Sequence, residues 1–211
     1  MSTCILTEQQ YKEMVSKTHQ LLSALYNYHS PIYHHSLQVG KVTQSFLRYL
    51  NWSSQDIIIG TTAALLHDIG KMRVEKELWS KEQGITILEY IQMEVHASHS
   101  QNILTEAAVF PAIIIESVAQ HHERENGAGY PNKINKMTPL ASIIAIVNDY
   151  TALQEIRPGH PVRSSFQALT HMLEQENHYD RVLFRAWQNY LVLQGITSQP
   201  IETKPITSLT A

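Results

Sequence analysis

The apolar run at residues 57–66 ends directly at His67 and Asp68. It is apolar on nearly every side, which predicts a buried helix, although its β-branched residues also leave a strand open. Gly70 then ends the segment. An imidazole and a carboxylate that stand side by side can bind one metal ion together, while the carboxylate reaches a second. This pair makes the chain a candidate hydrolase.

The rest of the chain follows the period of an α-helix. Apolar stripes of this period predict helices at residues 7–28, 32–49, 85–93, 98–106, 112–122, 138–153 and 164–192. Thr7 to Gln10 follow the pattern of a capping box, and Ser53 and Thr138 are start signals for helices. The chain has no strand-rich region and no internal repeat. We therefore predict an all-α fold, a helical bundle formed as a single domain.

Composition excludes several classes of protein. With 211 residues and 43% hydrophobic content, the chain can fill the core of one domain. The net charge of −3, with acids and bases interspersed, excludes a general nucleic-acid binder. The sole cysteine, Cys4, excludes an internal disulfide and a thiolate metal site. No apolar run reaches the ~18 residues of a membrane span, and no export signal is present. We expect a cytoplasmic protein.

Histidines are unusually abundant, at 12 in the chain. In a helical bundle, ligands from several helices converge when they face one interior cavity. Asp68 can bridge two cations with its two oxygens. His35 and His67 would complete the coordination of one cation, and the remaining histidines would complete that of the other. The candidate ligands are His35, His67, Asp68, His96, His121 and His122. Two cations about 3.5–4 Å apart clamp the attacking and leaving oxygens of a phosphoryl displacement. Nitrogen and carboxylate ligands suit iron, manganese, nickel or zinc better than magnesium alone.

Several ordered motifs over residues 33–158 resemble the HD-GYP branch of the HD metal-dependent phosphohydrolases. They are HSLQV from His35, HDIGK from His67, the single His96, and HHERENGAGYP from His121 to Pro131. The last motif is the most specific, because a His-Asp pair alone is common. The resemblance implies an all-helical fold with inward-facing metal ligands. It also implies hydrolysis of the bacterial second messenger cyclic di-GMP to the linear dinucleotide pGpG, and often onward to GMP.

We expect three parts in the chain. Residues 31–195 form an HD-GYP-like catalytic domain, of which the resemblance covers 33–158, and residues 1–30 form an N-terminal helix packed on its core. The Thr, Ser and Pro content of residues 196–211 predicts a flexible C-terminal tail.

The resemblance also implies roles for single residues. The metal ligands fall on the six candidates named above, and Lys71 falls on a lysine that contacts the scissile phosphate. From its own chemistry, an ammonium one helical turn after Asp68 can stabilise charge on the phosphate or protonate the leaving oxygen. Arg124 and Arg157 can grip phosphates, although either can instead cap a helix or pair with an acid. Loop residues Gly129, Tyr130 and Pro131 are expected at the substrate site, with Gly127 and Gly129 adopting conformations closed to other residues.

The chain departs from the family pattern at two places. The family has an aspartate ligand and a second aspartate three residues later, where an ungapped alignment gives Asn148 and Thr151. A shift of one residue would make Asp149 the ligand, so Asn148 and Asp149 both remain candidates. Pro31 stands where members with three metals carry a glutamate, which favours a site with two metals.

Two functional interpretations follow. In the first, the chain hydrolyses cyclic di-GMP with two divalent cations, with iron or manganese preferred and nickel or zinc also compatible. In the second, a neutral Asn148 weakens the cation at His35 and His67, and the domain is a cyclic di-GMP receptor or a protein-interaction module. The expected protein partners are a diguanylate cyclase domain or a separate sensory protein, because no sensory module fits before Tyr33.

Overall fold

The computed structural model describes residues 6–81, 84–157 and 159–196. Within these residues the chain forms α-helices joined by turns and short 3-10 helices, without a β-strand. The helices are α1 (Glu8–Tyr28), α2 (Ser30–Tyr49), α3 (Ser54–Leu66), α4 (Ile87–Glu94), α5 (His96–Ala107), α6 (Ala112–Gln120), α7 (Pro139–Gln154), α8 (Ser165–Leu173) and α9 (Arg181–Leu193). The predicted all-α fold is confirmed. Residues 57–66 lie in α3, which excludes the strand alternative.

Local sequence signals account for several helix starts. Thr7 Oγ1 accepts a hydrogen bond from Gln10 N at 3.2 Å, and Thr7 N donates to Gln10 Oε1 at 2.9 Å. The capping box predicted for α1 is therefore confirmed. Ser53 and Thr138 cap α3 and α7 through their side-chain oxygens. Caps of this kind each contribute roughly 1 kcal/mol to helix stability.

An aromatic contact in the core aligns α2 with α7. Trp187 of α9 is fully buried, and its ring meets Phe46 of α2 at 5.0 Å and Tyr150 of α7 at 5.1 Å, edge to face in both cases. Burial of side chains this large contributes about 1.5–3 kcal/mol each. With α2 and α7 held together, His35 of α2 lies opposite Asn148 of α7.

The segment that follows α3 lies directly against α5. A short 3-10 helix runs over Ile69–Arg73. A Cβ atom on Gly70 would overlap the carbonyl oxygen of His96 and the backbone nitrogen of Ser100. Ser100 Oγ accepts a hydrogen bond from Gly70 N and donates one to His67 O, both at 2.8 Å. The prediction that Gly70 ends the helix was wrong, because α3 ends at Leu66 and Gly70 lies inside the 3-10 helix. Its lack of a side chain permits this close contact.

The C-terminal region differs from its prediction. The periodicity predicts one helix over residues 164–192, but α8 and α9 are separated by a 3-10 helix at Glu176–His178, so this prediction is wrong. The apolar pattern continues through the break because both helices face the same core. Asp180 Oδ1 accepts a hydrogen bond from Leu183 N at 2.8 Å and so starts a new helix. The break also lets Glu125 N donate to His178 O at 3.0 Å.

The division of the chain into three parts stays a prediction. Helix α1 packs on α2 and α3. Residues 197–211 of the predicted tail, and Cys4, lie outside the described residues. Among the helices described, none combines the length and apolar character needed to cross a lipid bilayer.

Candidate metal centre

Asp68 stands at the centre of a buried cluster of histidines. Its Oδ1 lies 3.3 Å from His96 Nε2 and 3.8 Å from His121 Nε2. Its Oδ2 lies 3.2 Å from His67 Nε2 and 3.8 Å from His35 Nε2. The Asp68 side chain is 1% exposed, so each oxygen faces protein rather than bulk solvent.

The cluster forms two groups that share this carboxylate. One group contains His35, His67 and Asp68. The other contains Asp68, His96, His121 and His122. Within each group, one candidate ligand atom from every residue lies within 4.8 Å of the others. Helix ends and the segments that follow them bring the residues together, since His67 follows α3, His96 begins α5, and His121 follows α6.

Three of the histidines are oriented by the same local hydrogen bond. The Nδ1 atoms of His67, His96 and His121 lie 2.8, 2.6 and 2.6 Å from the carbonyl oxygens of Ala64, Met93 and Val118, three residues earlier in each case. A carbonyl only accepts, so each Nδ1 carries the proton and each Nε2 presents a lone pair. The chain therefore fixes the tautomer in which a metal binds through Nε2.

The unpaired atoms of the cluster fit a cation. His67 Nε2, His96 Nε2, His121 Nε2 and Asp68 Oδ1 are all buried without a hydrogen-bond partner. Each is an acceptor, so they cannot satisfy one another, and burying such groups unpaired is costly. A divalent metal ion supplies the positive charge that all of them lack. The donor set of imidazole nitrogen and carboxylate oxygen suits iron, manganese, nickel and zinc.

Burial and neighbouring charges together keep the ligands in the form that binds metal. Burial lowers the pKa of His96, and it lowers the pKa of His121 and His122 well below the ordinary value. Burial acts to raise the pKa of Asp68, but the neighbouring His67 and Lys71 hold it well below its usual range. Neutral imidazoles and an ionised carboxylate are the protonation states that metal ligation requires.

Helix α2 presents His35 between Asn148 of α7 and Glu155 at the end of α7. His35 Nε2 lies 2.8 Å from Asn148 Oδ1. On the other side of the ring, His35 Nδ1 lies 2.8 and 3.0 Å from the carboxylate oxygens of Glu155. Of the two candidates at this position, Asn148 is therefore the residue that reaches the cluster.

Asp149 points to a different part of the molecule. Its two oxygens accept hydrogen bonds from Arg124 Nη2 at 3.1 and 2.8 Å, and Oδ2 also accepts one from the Tyr179 hydroxyl at 2.8 Å. Neither Asp149 nor Arg124 belongs to a ligand group. Arg124 therefore pairs with an acid, and it ties the segment after His122 to α7.

Two positively charged side chains, those of Lys71 and Arg157, lie beside the cluster. Lys71 Nζ is 2.7 Å from Asp68 Oδ2 and 5.0 Å from the centre of the Trp79 ring. Burial lowers the pKa of Lys71, which makes its ammonium a better proton donor. Arg157 Nη2 lies 3.2 Å from Glu155 Oε2 and 3.2 Å from His35 Nδ1, so this guanidinium lies at the edge of the His35 group.

The loop at residues 123–131 folds back on the cluster. Glu123 is fully buried, and its carboxylate accepts hydrogen bonds from Asn132 N at 2.7 Å and Ile134 N at 3.1 Å. The Tyr130 ring stacks on His122 at 4.6 Å between centroids and is joined to Pro131 by a cis peptide bond. The loop thereby covers His122 with an aromatic ring.

The two glycines of this loop have different roles. Gly127 has a φ of +74°, as expected for a conformation that other residues avoid. A Cβ atom on Gly129 would overlap the backbone of Glu123 and Arg124. For Gly129 the expected reason was therefore wrong, because the requirement is close approach of two backbone segments and not a positive φ.

Comparison with known proteins agrees with this geometry. A family model of the HD domain matches residues 9–183. The chain belongs to the HD-domain family. A cyclic di-GMP phosphodiesterase of Pseudomonas aeruginosa is 29% identical over 157 residues, and a 3'3'-cGAMP-specific phosphodiesterase of Vibrio cholerae is 31% identical over 142 residues. The identification with HD-GYP proteins is confirmed.

The extent of these matches bounds what they imply. They cover 74% and 66% of this chain but only 38% and 31% of the two relatives, so the chain spans well under half the length of each. Among solved structures, Bd1817, an HDG"Y"P protein from Bdellovibrio bacteriovorus, superposes with a TM-score of 0.61 at 19% identity. The match covers 75% of this chain and 52% of the Bdellovibrio chain, and it supports the fold described above.

Sequence reasoning missed several residues that support the cluster. Glu155 and Tyr179 carry no local signal, because their partners His35 and Asp149 lie 120 and 30 residues away. Glu123 is different. It stands inside the HHERENGAGYP motif, and a carboxylate between two histidines and a glycine-rich loop is a signal for a loop anchor that could have been used.

Proposed function

We propose that this chain is a metal-dependent phosphodiesterase that hydrolyses cyclic di-GMP to pGpG, GMP or both through a two-metal centre. The observation that carries the proposal is the pair of ligand groups sharing Asp68, with the Lys71 ammonium 2.7 Å from that carboxylate. The names of the two relatives support a cyclic dinucleotide as the substrate class.

The proposed ligands divide as the two groups do. His35, His67 and Asp68 hold one ion with Asn148 Oδ1 beside them, and Asp149 is not a ligand. Asp68, His96, His121 and His122 hold the other. Iron or manganese is the expected metal, and nickel or zinc also fits the donor set. When bound, two divalent cations polarise the scissile phosphate and activate water near neutral pH.

The remaining residues bind and orient the substrate. Lys71 stabilises charge that builds on the phosphate and can donate its proton to the leaving oxygen. Arg157, at the edge of the His35 group, can reach a second phosphate with its guanidinium. Tyr130 offers an aromatic face to the substrate. Gly129 and Pro131 set the path of the loop that carries Tyr130. Arg124 holds that loop to α7 through its ion pair with Asp149.

Asn148 supports a second candidate function. An amide brings no negative charge, so an ion beside it is held less tightly than one beside a carboxylate. In this alternative the domain turns over slowly or not at all and acts as a cyclic di-GMP receptor. It would then transmit binding to a diguanylate cyclase domain or to a separate sensory protein.

The deciding experiment is turnover by protein loaded anaerobically with iron or manganese, with bound metal counted. Cyclic di-GMP and 3'3'-cGAMP are supplied in parallel, and products are separated by chromatography. Metal-dependent pGpG or GMP from cyclic di-GMP, abolished in Asp68→Ala, is the expected result. No turnover of either substrate with two ions bound would exclude the enzyme and favour the receptor, to be tested by nucleotide binding.

A further inference from the structure

The His35 group is short of negative charge at its ligand positions. Asn148 stands beside His35 Nε2 at 2.8 Å and is neutral. Thr151, one helical turn further along α7, is also neutral and buried. Asp68 is shared with the other group, so the His35 group has only part of one carboxylate for a divalent ion.

A carboxylate stands directly behind the His35 ring. Glu155 caps the C-terminal end of α7, seven residues after Asn148, and both side chains contact His35. The His35 imidazole fits between the two residues, with Nε2 toward Asn148 and Nδ1 toward Glu155 at 2.8 Å. Both Glu155 oxygens lie within 3.0 Å of Nδ1.

Arg157 lies against both partners of this contact. Its Nη2 atom lies 3.2 Å from Glu155 Oε2 and 3.2 Å from His35 Nδ1. A carboxylate only accepts, so the 2.8 Å contact with Glu155 places the proton on Nδ1. The neutral ring then presents the Nε2 lone pair toward Asn148 Oδ1, 2.8 Å away. The same guanidinium restrains Glu155 against rotating into solvent.

We propose that Glu155 is a positioning residue that supplies, from behind His35, the negative charge absent at Asn148. A carboxylate that accepts the Nδ1 proton of a ligand histidine fixes the ring and raises the basicity of the opposite nitrogen. In this proposal the negative charge lies at Nδ1 of the ligand histidine and not at the position of Asn148. The inference rests on the metal site of the proposed function but not on its hydrolytic activity.

The test is a metal titration of four proteins: wild type, Glu155→Gln, Asn148→Asp and the double variant. Glutamine keeps the size of Glu155 and an acceptor oxygen but removes the charge. We expect Glu155→Gln to weaken one of two Mn²⁺ sites by about 10–100-fold and to leave the other unchanged. Electron paramagnetic resonance should show the loss of the coupled two-manganese signal at limiting metal.

A rescue experiment distinguishes a role of Glu155 that depends on its charge from a role that is only structural. Asn148→Asp in the Glu155→Gln background returns a carboxylate to the metal and should restore the second site and the coupled signal. A purely structural Glu155 would not be rescued by a charge on another residue. Glu174→Gln is the matched control, because that carboxylate is 69% exposed and pairs with His171 on the surface.

Each outcome bears on the proposal. Wild-type affinity in Glu155→Gln, or no rescue by Asn148→Asp in a protein with a native circular dichroism spectrum, would overturn it. A wild type that binds only one Mn²⁺ would overturn it together with the two-metal centre. A wild type that binds two ions without hydrolysing cyclic di-GMP would remove the phosphodiesterase and leave the role of Glu155 testable.

Discussion

The two ligand groups that share Asp68 differ in the support of one histidine, His35, because His67 contacts a local carbonyl oxygen as His96 and His121 do. His96 and His121 are oriented by carbonyl oxygens three residues earlier in their own segments. His35 is oriented by Asn148 and Glu155, more than a hundred residues away in the chain. Support within a segment survives small shifts between helices, whereas support across helices depends on α2 and α7 keeping their packing.

The two groups also differ in their charge and in the residues that shield them from solvent. The group of His96, His121 and His122 is closed by the stacked Tyr130 ring and the loop that Glu123 anchors. The His35 group is bordered by Glu155 and Arg157, whose side chains are 27% and 35% exposed. We therefore expect the three-histidine group to hold its ion more tightly and the His35 group to respond to changes elsewhere in the molecule.

The largest effect is expected from the residue that both groups share. Asp68→Asn removes the bridging charge, so both ions should be lost and turnover of cyclic di-GMP should fall by more than about 100-fold, beyond the cost of losing a residue that only supports a ligand. Metal analysis and product chromatography measure the two losses. Glu116→Gln, on the surface of α6, is the control. Retention of two ions in Asp68→Asn would contradict a shared ligand.

The second-largest effect is expected on removal of the metal ions, which should distinguish the two ligand groups. During dialysis of the manganese-loaded protein against a chelator, we expect release in two phases that differ by about 10–100-fold in rate. The fast phase belongs to the His35 group, since a neutral amide takes the place of a carboxylate there. His35→Gln should abolish the fast phase and leave the slow one. A single phase in wild type, or a fast phase that persists in His35→Gln, would show that the groups do not differ.

The loop over the three-histidine group provides a smaller test. Gly129→Ala forces a Cβ atom against the backbone of Glu123 and Arg124, and we expect about 1–3 kcal/mol of lost stability in urea unfolding. The stacking of Tyr130 on His122 should be lost with it, which hydrogen exchange of the loop can detect. In Gly127→Ala the new Cβ atom would meet only Lys133 O, at an ordinary contact distance of 3.7 Å, and the positive φ remains to be overcome. This substitution should therefore cost less, about 1 kcal/mol. The reverse order would contradict the close-approach explanation.

The smallest effect is expected where the loop is tied to α7. Tyr179→Phe removes one hydrogen bond to the Asp149 carboxylate but leaves the ion pair with Arg124, so stability should fall by roughly 1.5 kcal/mol. Metal content should stay at the wild-type level, because neither residue is among the proposed ligands. Urea unfolding and metal analysis on the same preparation test both statements. A lost ion would mean that Asp149 supports the metal centre directly.

The helices and the ligand histidines could be predicted because their signals are local. Periodicity identified α1, α2 and α7, and an apolar run with a strand alternative indicated α3. The ligand histidines stand in ordered motifs. The break before α9 was missed because the apolar stripe continues through it, and with it Tyr179 was missed. Glu155 was missed because its role exists only once α2 and α7 pack, which no local pattern records. The choice between Asn148 and Asp149 likewise depends on which face of α7 meets His35.

The unpaired nitrogens of His67, His96 and His121 have a consequence for evolution. A protein selected for stability alone would replace such residues with apolar ones, because each buried lone pair without a partner costs free energy in the folded chain. By tolerating that cost in one small volume, the chain gives up folding stability and keeps a site that is ready to bind metal ions. Sequences that drift away from this chemistry should therefore gain melting temperature as they lose imidazoles, starting with those nearest Asp68.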